Sequence, residues 1–297
     1  MRGFTFAVAV LVLCASAGAR AADSFGPASV PAGVQSFRLG ELALIAVRDG
    51  QYVARNDGKT FGVDAGPAAV GELLKANGLP DDRIALSCNA LVVYAGTRVI
   101  LFDTGLGPKV HGSLLASLKL AGIAPDAVTD VLITHTHGDH VGGLVDADGK
   151  PAFAKATIRM ATPEWAWMKS QPNAAELVKA IESRVKTFTP GKAIAPGITP
   201  VALYGHTPGH VGYEIVSGKA RLLDIGDLAH SSLISLKKPD WTMGFDSDAA
   251  AGKAARKATL ARLAKSQEVV FSPHFPFPGV GRIAADGDAF KWKPGMP

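Results

Sequence analysis

The 297-residue chain has only two cysteines, Cys14 and Cys88. Cys14 lies in a leader expected to be removed, so Cys88 would stand alone and no intramolecular disulfide could form. Stability must then come from packing, which a single large domain with 47% hydrophobic residues can supply. Cys88 itself sits in the apolar stretch RIALSCNALVVY and reads as a small buried hydrophobe rather than a nucleophile. A membrane-spanning apolar run is missing at the N-terminus, where residues 6–17 fall short of the ~20 residues a spanning helix needs. Arg2 precedes that run and Ala19-Arg20-Ala21 follows it, which gives the three parts of a secretory signal peptide. Residues 1–21 are therefore expected to leave, and residues 22–297 to work in the periplasm or outside the cell without stable membrane insertion. Leu13 before Cys14 speaks against lipid attachment there.

Strong charge bias is also lacking. The formal charge of +5 falls to +3 when Arg2 and Arg20 leave, and the cations are scattered, so no nucleic-acid partner is implied. The densest group, Lys253, Arg256, Lys257, Arg262 and Lys265, lies on an Ala-rich helical segment and is expected to be a solvated face. No internal repeat and no low-complexity tract is found.

What is there reads as a layered α/β protein. Residues 22–36, rich in Ala, Gly, Pro and Ser, are expected to be an irregular lead-in. Apolar or alternating runs predict strands over 41–48, 84–94, 98–102, 130–134, 157–160, 199–204, 212–216, 220–225 and 268–272, with a hairpin turn at 95–97. Helices are predicted over 113–121, 162–170, 173–186 and 249–265, with Thr162 as an N-cap. This order suits helices packed outside a pair of sheets.

The chemistry concentrates in Thr134-His135-Thr136-His137-Gly138-Asp139-His140, directly after a buried strand. In extended chain, residues two apart point to the same side, so His135 and His137 can grip one ion together. Gly138 lets the backbone turn, and Asp139 and His140 can then face a second ion. Two ions need more donors. His206, Asp227 and His274 each follow an apolar run, where loops converge at a sheet edge.

These residues resemble the metallo-β-lactamase superfamily, whose signature HxHxDH is followed by later His, Asp and His ligands. The likeness covers nearly the whole mature chain. It is strongest to the methyl parathion hydrolase-like group, through LKLAGIAPDAVTDVLITH, GGLVDADGKPAF, the Gly226-Asp227 pair and SPHFPFPG. The resemblance implies an αββα sandwich, two packed sheets flanked by helices. It assigns His135, His137 and His206 to one metal ion, Asp139, His140 and His274 to another, and Asp227 to both. Two divalent ions are implied, zinc by default, with manganese, iron or cobalt as alternatives. The implied reaction is attack by a metal-bridging hydroxide on an ester, lactone or phosphotriester, with Asp139 orienting the hydroxide. Small molecules are the implied partners, and a homodimer the implied assembly.

Lactonases of this family place a tyrosine three residues after the bridging aspartate. Here that residue is His230, expected to donate a proton or hydrogen bond. His210 and Asp103 match no ligand position and are open to a supporting or a structural role, and His111 reads as a surface loop residue. Trp165, Trp167, Phe275 and Phe277 are candidates for an apolar pocket, with Phe275 and Phe277 preferred because they follow His274. The bridging Asp227 argues against a dedicated β-lactam hydrolase, which stays as an alternative beside a non-catalytic exported metal-binding protein.

Overall fold

The computed structural model describes residues 25–297, so the expected leader at 1–21 lies outside the described residues. β1 (Gly26–Ala28) and β2 (Gly33–Leu39) both pair with the long β3 (Leu42–Arg55). After α1 (Gly66–Ala76), β3 continues into antiparallel β4 (Arg83–Ala95) and then β5 (Arg98–Phe102). From there the sheet turns parallel. α2 (Leu114–Leu120) crosses to β6 (Asp130–Leu132), and α3 (Gly138–Val141) leads towards β7 (Thr157–Ala161). α4 (Thr162–Ser170) and α5 (Ala175–Ile181) then reach β8 (Val185–Phe188). Parallel neighbours require such crossovers, which is why helices cover this end of the sheet.

The second sheet begins with β9 (Ile198–Ala202), β10 (Val211–Ser217) and β11 (Ala220–Asp224). α6 (Ile234–Lys237) and α7 (Ala249–Ser266) lead to β12 (Val269–Phe271), and β13 (Val280–Asp286) and β14 (Ala289–Pro294) close it. Its spatial order is β14-β13-β12-β11-β10-β9, and that of the first sheet is β1-β3-β4-β5-β6-β7-β8 with β2 also on β3.

The two sheets face each other across one core, in which Leu44, Leu91, Val93 and Phe102 of the first meet Val211, Tyr213, Ile215 and Phe271 of the second. Tyr213 is fully buried, its ring edge-on to Phe102, and its hydroxyl donates to the carbonyl of Ile133 at 2.7 Å. A buried aromatic of this kind stabilises by about 1.5–3 kcal/mol, and its polar tip must find a partner, as it does here. A second cluster seals α2, α4 and α5 onto the outer face of the first sheet, and a third seals α7 onto the second. The architecture is the expected αββα sandwich. Among the described residues no helix is long and apolar enough to cross a membrane.

Several local expectations differ from the structure. The stretch 22–36 is not wholly irregular: it contains β1 and the start of β2, which gain order by pairing with β3. The helix expected over 173–186 is α5 flanked by 3-10 turns at Pro172–Ala174 and Glu182–Arg184, and only its last two residues depart, drawn into β8 by edge pairing with β7. Thr162 starts α4 instead of capping it, and its hydroxyl donates to the carbonyl of Phe188. Arg256 does not belong to a solvated face. It is fully buried, donating to the carbonyls of Leu228, Pro239 and Trp241 and to Asp246.

Candidate metal centre

The four segments singled out in the sequence leave the C-terminal ends of β6, β9, β11 and β12, and they meet at one edge of the sandwich. Backbone details make the approach possible. Gly226 has φ +47°, and a Cβ there would lie 2.6 Å from Nε2 of His210. Gly205 has φ +126°, and its Cβ would lie 2.2 Å from the backbone of Gly252. Only glycine tolerates both the dihedrals and the proximity.

Seven donor side chains collect in two groups. In the first, Nε2 of His135, Nδ1 of His137 and Nε2 of His206 form a triangle with sides of 3.1, 2.8 and 3.1 Å. Oδ2 of Asp227 lies 3.6 Å from His135 and 3.3 Å from His206. In the second, Nε2 of His140 and of His274 are 3.3 Å apart, and each is 3.1 Å from the other oxygen of Asp227. Asp139 approaches them at 3.8 and 3.4 Å. A tetrahedral cation with bonds of about 2.0–2.1 Å spaces its ligand atoms by roughly 3.3 Å, so both groups have the edge lengths of a coordination polyhedron.

Hydrogen bonding supports the same reading. The outer nitrogens of four rings are already engaged. Nδ1 of His140 donates to Asp103 (2.8 Å), Nδ1 of His206 to Asp246 (3.0 Å) and Nδ1 of His274 to the carbonyl of Ser87 (2.7 Å), while Nδ1 of His135 meets the hydroxyl of Thr134 (3.1 Å). With Nδ1 so engaged, the Nε2 atoms face one another and the carboxylate of Asp227, an arrangement that a cation would satisfy. Oδ1 of Asp227 is buried without a hydrogen-bond partner, as a group reserved for an ion would be.

The titration tendencies agree. Burial, reinforced by His140, depresses His135 well below the ordinary imidazole value, and burial with His206 brings His137 down to about 3. Burial would raise the carboxyl of Asp227, but His140, His274, His135 and His230 outweigh it and hold the group well below the usual range. For His140, burial is overcome by Asp227, Asp139 and Asp103, which raise it well above its usual value. A cation held there would have to displace a proton from His140.

Asp103 and His210 take supporting places. Asp103, at φ +58°, accepts from the N–H and hydroxyl of Thr134 as well as from His140. Such a left-handed non-glycine residue persists only where its contacts fix it. His210 donates from Nδ1 to Leu203 and accepts the N–H of Asp227 at Nε2, so it holds the loop of the shared carboxylate. His111 is exposed, as expected.

The centre floors a cleft of about 690 Å³ walled by Pro27, Tyr52, Leu86, Leu106, Val110 and Phe245, with Lys109 and Asn173 among its lining. His230 lines it too. Its Nε2 is 3.1 Å from Oδ2 of Asp227, its ring stacks at 8° on His274, and neither ring nitrogen has a hydrogen bond of proper geometry. The preferred aromatics are elsewhere. Phe275 is buried under α7 against Trp292, and Phe277 packs beside the inter-sheet core beneath Arg48. Trp165 packs with the outer-face cluster, and Trp167 lies edge-on to His137 in a neighbouring hollow. Leu86 and Cys88 share β4, so proximity in sequence to His274 was a poorer guide than the neighbouring strand. Cys88 is buried, and burial pushes its thiol up to about 11.

Sequence reasoning missed Asp49, Glu164 and Asp246, three buried carboxylates. Asp246 links His206 to Arg256. Asp49 accepts the N–H groups of Leu106 and Leu114 and so fixes the loop of the cleft wall. Nothing in their local sequence marks them, because their partners are backbone or side-chain groups far along the chain.

A family model described as the metallo-beta-lactamase superfamily matches residues 83–274. Among solved structures, the chain is similar to AidC, a dizinc quorum-quenching lactonase in complex with a product. The two are 30% identical over 90% of this chain and 98% of AidC, with a TM-score of 0.85. It is also similar to AbOPH, a hydrolase in the beta lactamase superfamily, at 28% identity over 91% of this chain and 99% of AbOPH, with a TM-score of 0.81. Metallo-beta-lactamase domain-containing protein 1 of Xenopus laevis is 33% identical over 126 residues, 42% of this chain. That match spans 46% of the Xenopus protein, under half its length.

Proposed function

The chain belongs to the metallo-beta-lactamase superfamily, and on that premise we propose that it is a metal-dependent hydrolase of small lactones or esters bearing an apolar acyl or aryl group. One observation carries the reading: both donor clusters lie at the floor of a single cleft with apolar walls. In this reading His135, His137 and His206 hold one divalent cation, Asp139, His140 and His274 a second, and Asp227 both. The nitrogen and oxygen donor set suits zinc first, then manganese, iron or cobalt. When bound, the cations lower the pKa of a water and polarise the substrate's carbonyl or phosphoryl oxygen.

The protein's own groups do the remainder. Asp139, whose side chain keeps 26% exposure, accepts a hydrogen bond from the attacking water and orients it. His230, with ring nitrogens left uncommitted by the fold, donates to the departing oxygen. Tyr52, Leu86, Leu106, Val110 and Phe245 hold the apolar part of the substrate and exclude bulk water.

The description of AidC as a quorum-quenching lactonase puts acyl-homoserine lactones at the head of the substrate panel. Likeness to the methyl parathion hydrolase-like group, carried by SPHFPFPG around His274, adds aryl phosphotriesters. The test is turnover of lactones, aryl esters, phosphotriesters and a β-lactam, with metal quantified and with chelator added. Chelator-sensitive turnover restored by zinc is expected. Full metal occupancy with no turnover of any member would leave a metal-binding protein, and turnover of the β-lactam alone would make it a β-lactam hydrolase. Export is part of the proposal: intact mass should give a periplasmic or secreted chain beginning near residue 22, and light scattering tests the homodimer.

A further inference from the structure

Glu164, on α4, is fully buried, yet none of its four hydrogen bonds comes from a lysine, arginine or histidine. Its Oε1 accepts from the backbone N–H of Thr136 at 2.7 Å and from the Thr136 hydroxyl at 2.8 Å. Its Oε2 accepts from the Thr207 hydroxyl at 2.6 Å and from the N–H of Gly209 at 3.0 Å. Thr136 stands between His135 and His137. Thr207 follows His206, and Gly209 is pressed against α4 so closely that a Cβ there would lie 2.2 Å from the backbone nitrogen of Glu164. One carboxylate thus spans the two loops that carry the three imidazoles of the first cluster, one loop from each sheet.

A buried carboxylate without a counter-cation is costly, and it persists only if fully satisfied and useful. The chemistry here also demands this side chain and no close substitute. All four partners are donors, and a carboxylate is acceptor-only, whereas glutamine would turn an amide N–H₂ towards a backbone N–H on one side or the other.

We propose that Glu164 is a positioning residue for the first cation. It fixes the gap between the His135–His137 pair and His206, and so sets the affinity of that position alone. The proposal rests on the reading that these imidazoles hold a cation.

The test is a chelator competition that resolves both cation affinities in the full mature protein and in Glu164→Gln, with cobalt absorption spectra to assign each position. We expect Glu164→Gln to weaken the three-imidazole position by about 10–100-fold, the loss typical of groups that orient ligands. The position of Asp139, His140 and His274 should stay within about twofold. Thr207→Val removes one donor and keeps the side chain's shape, and it should weaken the same position by several-fold; it carries the test if Glu164→Gln does not fold. Unchanged affinities, or equal losses at both positions with a lowered melting temperature, overturn the proposal while leaving the cation reading intact. Absence of cations from the unaltered protein would sink the cation reading instead.

Discussion

The two donor clusters share one carboxylate and differ in almost everything else. The first is lined by three imidazoles and one oxygen of Asp227, the second by two imidazoles and oxygens from both Asp227 and Asp139. Their rings are braced differently too: His206 by Asp246, itself paired with buried Arg256, and His140 and His274 by Asp103 and a backbone carbonyl. A cation in the first cluster would therefore meet mostly nitrogen donors, with more of its charge uncompensated. The second offers more negative charge and harder oxygen donors. Similar geometry need not mean equivalent sites.

The strongest way to break the comparison is to remove what the positions have in common. Asp227→Ala should empty both and lower kcat/KM by at least about three orders of magnitude, roughly 4 kcal/mol of transition-state stabilisation; elemental analysis beside kinetics checks both halves. His230→Ala should cut kcat by about 100-fold, within the range of general acid catalysis, with metal content unchanged. Full activity in that variant would remove His230 from the mechanism. A sharper contrast comes from the braces. Asp246→Asn should loosen the first position and Asp103→Asn the second, each by roughly 10–100-fold in metal affinity, and chelator competition should report the losses at different positions. Manganese titrated into metal-depleted protein should fill the position of Asp139, His140 and His274 about tenfold more readily, given its preference for oxygen donors. Electron paramagnetic resonance giving equal filling would erase the distinction.

The smallest effect on rate concerns Asp49, outside both positions. Burial pushes its carboxyl up to about 6 from 3.8. The folded state then binds more protons than the unfolded state between about pH 4 and 6, so stability falls as pH rises through that window, by about 3 kcal/mol at most. Asp49→Asn should flatten that part of the profile, measured as the difference in urea unfolding free energy between the two proteins.

Much of the centre was legible because its signal is dense. Three imidazoles and a carboxylate within residues 135–140 follow a buried strand, and His206, Asp227 and His274 are polar residues at the exits of apolar runs. The layer order was legible for the same reason, since β4, β10 and β11 are nearly continuous apolar stretches. The supporting residues were not. Glu164 sits in a short helical segment with little amphipathic character, and its partners are 28 to 45 positions away. Arg256 looks like its neighbours, half-buried Lys253 and exposed Lys257, until the loop holding Asp246 folds over it. α1, β13 and β14 escaped notice as well. The first has a short apolar stripe, and the last two alternate in a way that becomes informative only once β12 offers an edge.

The cleft has a consequence for how new specificities can arise. Its floor is anchored at strand ends deep in the sandwich, whereas its walls come from three separate stretches of chain, Pro27 from β1, Leu106 and Val110 from the loop after β5, and Phe245 from the loop before α7. Exchanging such a stretch would recast which molecules enter without disturbing the reactive centre, so laboratory evolution towards unfamiliar pollutants or signals should accumulate its gains along the rim.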